Sequence, residues 1–248
     1  MTSVVVHPVN DEDAAVWRLA QEVSGMFTDL PWALIGGLMV RILEIEHGVQ
    51  APWLTGDVDT VLDVRIVSTA TEEAAARLQA AGFLPQRHDE NLTYRFIRDK
   101  DIVDVLAPDH LGERAKRTTV PPDETIEALG SRQALNRRRM VTIDAGNGPF
   151  ELPCPSLTGA LVIKARVAEN VQGRRSQDKH ERDLARLLAL VPDPLATRHE
   201  LSRKERGYFR ARENMTDVDH VAWTDVPNAE NGAIALSILG EPDPSRPR

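Results

Sequence analysis

"IGGLMVRILEIEHGVQAPWLTGDVDT" (residues 35–60) is the stretch on which the reading of this chain turns. A glycine pair closes an apolar run, a helix-like segment follows, and two aspartates one residue apart end it. Side chains at i and i+2 of a strand share a face, about 6–7 Å apart at the Cα level. Two carboxylates so placed repel each other, and a divalent cation relieves the conflict. Mg²⁺ in particular takes one or two carboxylates together with phosphate oxygens. Gly36 and Gly37 present backbone N–H groups unobstructed by side chains at the start of a helix, where phosphates bind. A phosphate cradle beside a metal pair is the apparatus of nucleotidyl or phosphoryl transfer.

The surrounding pattern is that of an α/β (α+β) chain. A capped amphipathic helix is expected over 11–27 with Asp11 as N-cap, and a short buried strand over 32–37. A helix then runs from Leu38 to about His47. "DVDTVLDVRIV" (57–67) alternates as one strand, with Asp57, Asp59, Asp63 and Arg65 on one face. An alanine-rich helix over 70–83 ends at Gly82. Residues 92–109 read as a hairpin that carries Asp104 among Ile102, Val103, Val105 and Leu106. A short helix is expected at 123–138, and a turn at 145–148 between two strands. The last third is helical: 156–171, 176–190 and 196–215, the last with Thr197 and Glu200 in capping-box spacing. The expected organisation is a mixed α/β domain over 1–150, a helical domain over 151–240 and a disordered tail over 241–248.

Bulk properties narrow the function. The chain has 248 residues, a net charge of −8 and one cysteine, Cys154, which excludes an internal disulfide and reads as a packing residue. No run reaches the ~20 apolar residues of a membrane helix, and the N-terminus lacks a signal-peptide pattern. A cytoplasmic protein without a membrane role is expected. The acidic total disfavours general coating of nucleic acid. Even so, 131–140, 172–182 and 201–212 are locally basic, as one basic groove on an acidic body requires. In the helix over 156–171, Lys164 shares the apolar stripe, so it either snorkels or is held inward. His180 and Asp183 lie on the same side of the next helix as Leu184, Leu187 and Leu188.

The glycine turn, helix and Asp-x-Asp strand resemble the DNA polymerase β-type nucleotidyltransferase fold. With the C-terminal half, the chain resembles the AbiEii (MenT-type) toxin-like branch of that fold. Gly36, Gly37, Asp57 and Asp59 match its first motif and Lys164 in "ALVIKARV" its third. Lys179, His180 and Asp183 match the last, with His180 where the family often has aspartate. The second motif stays unassigned, the strand around Tyr94–Arg98 being the position considered. Nineteen residues separate Gly37 from Asp57, more than the compact motif uses.

The resemblance implies that Asp57 and Asp59 bind Mg²⁺ (or Mn²⁺) bridging a nucleoside triphosphate, and that Gly36 and Gly37 contact phosphate. Asp104 completes the metal site or acts as base. Lys164 neutralises phosphate charge, and Asp183 positions Lys164 or the acceptor. Arg41 and Arg65 are lesser phosphate candidates, read foremost as surface salt-bridge residues. Loss of Lys164 is expected to reduce transfer by orders of magnitude without a large fall in melting temperature.

The implied activity is nucleotide transfer to RNA, the tRNA 3′ end foremost, by a toxin with a cognate antitoxin. Arg174, Arg175, Arg206 and Arg210 are then expected on the rim of the cleft that contains Asp57. Two alternatives compete: a nucleotidyltransferase acting on a small hydroxyl compound such as an aminoglycoside, and a non-catalytic binding protein on the same scaffold.

Overall fold

A computed structural model of the chain describes residues 2–50, 55–112, 115–170 and 174–242, with side chains described for 3–50, 55–112, 115–168 and 178–242. It divides into two units, Met1–Ser156 and Leu157–Arg248. Residues 243–248 of the expected tail lie outside the described residues, as do 51–54 in the Gly37–Asp57 connection.

Unit 1 is built of β1 (Thr2–Val5), α1 (Asp11–Met26), β2 (Trp32–Ile35), α2 (Gly36–Glu46), β3 (Asp57–Leu62) and α3 (Ala70–Ala80), followed by β4 (Leu84–Asp89), β5 (Leu92–Arg98), β6 (Asp101–Pro108), β7 (Glu127–Ala128), α4 (Ser131–Asn136), β8 (Arg138–Asp144) and β9 (Phe150–Pro155). One sheet has the order β2-β3-β6-β5-β4, with β7 on β6; a second has β1-β8-β9. The architecture is the expected mixed α/β arrangement with flanking helices. Apolar residues of the larger sheet, among them Val58, Leu62, Phe96, Val103 and Val105, are fully buried.

Several elements differ from the sequence expectation. Asn10, not Asp11, caps α1 by accepting from the Asp13 N–H at 2.9 Å. The strand expected over 57–67 stops at Leu62. There the Asp63 N–H donates to the Pro31 carbonyl at 2.6 Å, and Arg65 forks back onto Asp63 through Nε and Nη2 at 2.7 Å each. This i,i+2 clamp closes a turn instead of extending the ladder. The helix expected at 123–138 shrinks to α4, whose first amides lean on a buried acceptor: Asp109 takes the Gly130 and Arg132 N–H groups. β4 has no exposure pattern to read, because every residue on it is exposed.

Unit 2 contains α5 (Leu157–Asn170), α6 (Arg174–Ala189), α7 (Pro194–Glu200), α8 (Arg203–Arg210) and α9 (Ala229–Gly240), with two 3₁₀ turns between α8 and α9. The capping box falls on Ser202 and Glu205, not on Thr197 and Glu200. α7 starts earlier, with Asp193 accepting from the Ala196 N–H at 3.0 Å and Pro194 in its first turn, where the missing N–H costs nothing. α9 packs against α6, α7 and α8. The approach to α8 is close: a Cβ on Gly240 would stand 3.1 Å from the Arg210 backbone. No helix among the described residues is long and apolar enough to cross a membrane.

Candidate functional site

Strand register gathers the acidic residues of unit 1. β3 and β6 run parallel with Asp59 beside Asp104, and β2 runs antiparallel to β3 with Ile35 opposite Asp59. The Thr60 hydroxyl donates to the Asp104 carbonyl at 2.8 Å and pins this register. Asp57 and Asp59 share one face of β3 by pleat alternation. One carboxylate oxygen from each of Asp57, Asp59 and Asp104 lies within 4.8 Å of the other two. Thr55 Oγ1 donates to Asp57 Oδ1 at 2.9 Å and fixes that carboxylate.

β2 runs straight into α2 at Gly36, without an intervening loop. The N-cap residue, Ile35, supplies no side-chain acceptor. Gly36 has φ of +75°, and a Cβ there would fall 1.7 Å from Asp59 Oδ2. Only glycine allows the helix start and the metal-type carboxylate to share this space. A hard, oxygen-only donor set of this kind fits Mg²⁺ or Mn²⁺ better than a softer ion.

The sequence reading missed one member of the group. Arg95, on β5 opposite Asp104, donates from Nε to Asp104 Oδ1 at 2.8 Å and from Nη2 to Asp104 Oδ2 at 2.7 Å. Its Nη2 also stands 3.9 Å from Asp57 Oδ2. The Asp104 hydrogen bonds push the guanidinium above its ordinary value. Arg95 lies in the Tyr94–Arg98 stretch, but a cross-strand partner cannot be found without the register.

In unit 2, Lys164 does not snorkel. It is 3% exposed, and Nζ donates to Asp183 Oδ2 at 2.7 Å. Asp183 is equally buried, and Arg186 Nη1 stands 3.6 Å from its Oδ1. Breaking a buried pair leaves an uncompensated charge, so this placement argues for a larger fall in melting temperature on loss of Lys164 than the sequence suggests. Burial, with help from Lys164 and Lys179 against Asp183, lowers His180 to about 4, and its Nδ1 is buried with no hydrogen-bond partner among the described residues.

No family model matches the chain, and no curated protein does. Among solved structures, that of an antigenic nucleotidyltransferase-like protein from Paracoccidioides brasiliensis is similar, with TM-score 0.53 and 15% identity over 87% of this chain and 94% of that chain. The fold is nucleotidyltransferase-like.

Several other residues singled out in the sequence play structural parts within their own unit. Arg41 is no surface residue. It is 2% exposed, pairs with Asp13 through both nitrogens of its fork, and lies 5.5 Å from the Trp17 ring centroid. Arg65 is held by Asp63. The side chains of Arg174 and Arg175 lie outside the described residues. Arg210 Nε donates to the Gly240 carbonyl at 3.0 Å, closing the end of α9, and Arg206 Nε is buried with no acceptor among the described residues. Cys154 is fully buried, and burial raises its thiol to about 12, as an inert packing residue requires.

Proposed function

We propose that the chain transfers a nucleoside monophosphate from a nucleoside triphosphate to an acceptor hydroxyl. Asp57 and Asp59 would hold a divalent cation, Mg²⁺ or Mn²⁺, with Asp104 completing the site or acting as base. The observation that carries this reading is the convergence of the three carboxylates within 4.8 Å on a nucleotidyltransferase-like fold. When bound, the cation supplies charge neutralisation and Lewis-acid polarisation of the triphosphate. The acceptor oxygen bonds the α-phosphorus, the bond to the β-phosphate breaks, and pyrophosphate leaves. The hydroxyl proton passes to a carboxylate oxygen of the cluster. Gly36 and Gly37 orient phosphate through the amides at the start of α2. Lys164, assigned from the resemblance, neutralises phosphate charge, and the Asp183 contact positions it.

We further read the acceptor as RNA, the tRNA 3′ end foremost, and the chain as a toxin partnered by an antitoxin. The support is the AbiEii-type motif pattern together with the exposed cations Arg203, Lys204 and Arg210 of α8. The net charge of −8 favours the second reading, a small cationic acceptor such as an aminoglycoside. Incubation with labelled nucleoside triphosphates and total RNA tests both. Labelling of tRNA-sized species that weakens as salt rises supports the first. Labelling of an aminoglycoside and of no RNA supports the second. Labelling of neither acceptor contradicts both.

A further inference from the structure

We propose that Arg95 is a positioning residue that competes with the divalent cation for Asp104 and so keeps the metal-only affinity of the site low. The proposal rests on the metal reading given above.

Three carboxylates crowded within 4.8 Å repel one another, and the folded chain must hold them together whether or not a cation is bound. Arg95 supplies that compensation from inside the protein. Its fork covers both oxygens of Asp104, and Nη2 reaches toward Asp57 Oδ2 at 3.9 Å. The planar guanidinium matches a carboxylate in two parallel bonds, which a lysine ammonium cannot do. The register puts it there: Arg95 pairs with Asp104 across β5 and β6, and Asp104 with Asp59 across β6 and β3.

A cation drawn to oxygens of all three aspartates therefore meets a positive charge already seated on one of them. It must share Asp104 with the guanidinium or displace it, and either route weakens its binding. A triphosphate changes the balance, because it brings its own negative oxygens to the cation and offers them to a guanidinium turned away from Asp104. Arg95 thus favours entry of the cation together with the nucleotide over entry of the cation alone. The residue acts through Asp104 and needs no contact with the reacting atoms.

The test is a calorimetric titration of Mn²⁺, without nucleotide, into the full chain and its Arg95→Gln and Arg95→Lys variants, with Asp57→Asn as the control for binding elsewhere. Removal of one positive charge from the edge of the site is expected to tighten Mn²⁺ binding about tenfold in Arg95→Gln. A few-fold gain is expected in Arg95→Lys, which keeps the charge but loses the fork. A residue that only braced the sheet would, when removed, weaken binding and never tighten it. Mn²⁺ binding no tighter than wild type in either variant overturns the proposal while leaving the metal reading intact. If Arg95→Gln does not fold by circular dichroism, Arg95→Lys is read by the same criterion. Should neither the wild-type chain nor Arg95→Gln bind Mn²⁺ better than Asp57→Asn, the metal reading fails, and this inference with it.

Discussion

Gly36 and Asp59 occupy space that a single methyl group would close: a Cβ on Gly36 would lie 1.7 Å from Asp59 Oδ2. Gly36 also holds a left-handed φ of +75°, so alanine there meets two penalties, strain of about 1–2 kcal/mol and displacement of Asp59. Gly36→Ala is therefore expected to lower the melting temperature and weaken divalent-cation binding by roughly tenfold or more, as loss of one charged ligand implies. Gly25, near the end of α1, has none of the described residues within 4 Å of its would-be Cβ. Gly25→Ala should stabilise by about 0.5–1 kcal/mol without touching the site. Thermal denaturation and metal titration of the two variants check the contrast; equal behaviour would refute the steric account.

Lys164 and Asp183 form a buried pair, so removal of one partner alone strands the other's charge. Lys164→Ala is expected to cost about 3–5 kcal/mol, eased by Arg186 at 3.6 Å from Asp183. Replacement of both, Lys164→Met with Asp183→Leu, should recover most of that stability, because an apolar pair of similar volume replaces a buried ionic one. If Lys164 also serves the phosphates, the double variant stays inactive although folded. Full transfer activity in the double variant would reduce the pair to a structural staple.

His180 gives a pH signature. Burial and the neighbouring lysines lower it from 6.5 to about 4, so the unfolded chain takes up its proton first as pH falls. The resulting stability is fully present above pH 6.5 and is lost progressively toward pH 4. The Glu22 carboxyl, held below its ordinary 4.5 by Arg98, adds to this loss only in more acidic solution. Between about pH 6.5 and 5, melting temperature should therefore fall in the wild type and stay nearly level in His180→Gln. Parallel curves for the two proteins would contradict the assignment.

The acidic triad was legible because each of its parts has a local signature. Asp57 and Asp59 alternate on one strand, Asp104 sits mid-strand in an apolar hairpin arm, and the Gly36–Gly37 turn precedes a helix. What the sequence hides is whatever depends on pairing across the chain. Arg95 reads as one more charged strand residue until the β5–β6 register sets it on Asp104. Arg41 reads as a surface cation until Asp13, 28 residues away, comes to meet it in the core. The end of β3 was misplaced because "DVRIV" keeps the alternation of a strand while Asp63 and Arg65 clamp it into a turn. The sequence reading contains no helix at α9. Its residues are apolar or small almost throughout, Gly232 interrupts them, and the N-cap, Asn228, lends no side-chain bond.

The central claim is that Asp57 and Asp59 bring a nucleoside triphosphate to this chain through a divalent cation. The most direct measurement is calorimetric titration of each nucleoside triphosphate into the wild-type chain and Asp59→Asn, once with Mg²⁺ and once with EDTA. The account predicts binding of at least one triphosphate that requires Mg²⁺ and is lost in Asp59→Asn while the melting temperature is kept. Equal affinity with Mg²⁺ and with EDTA, or unchanged binding in Asp59→Asn, would contradict it.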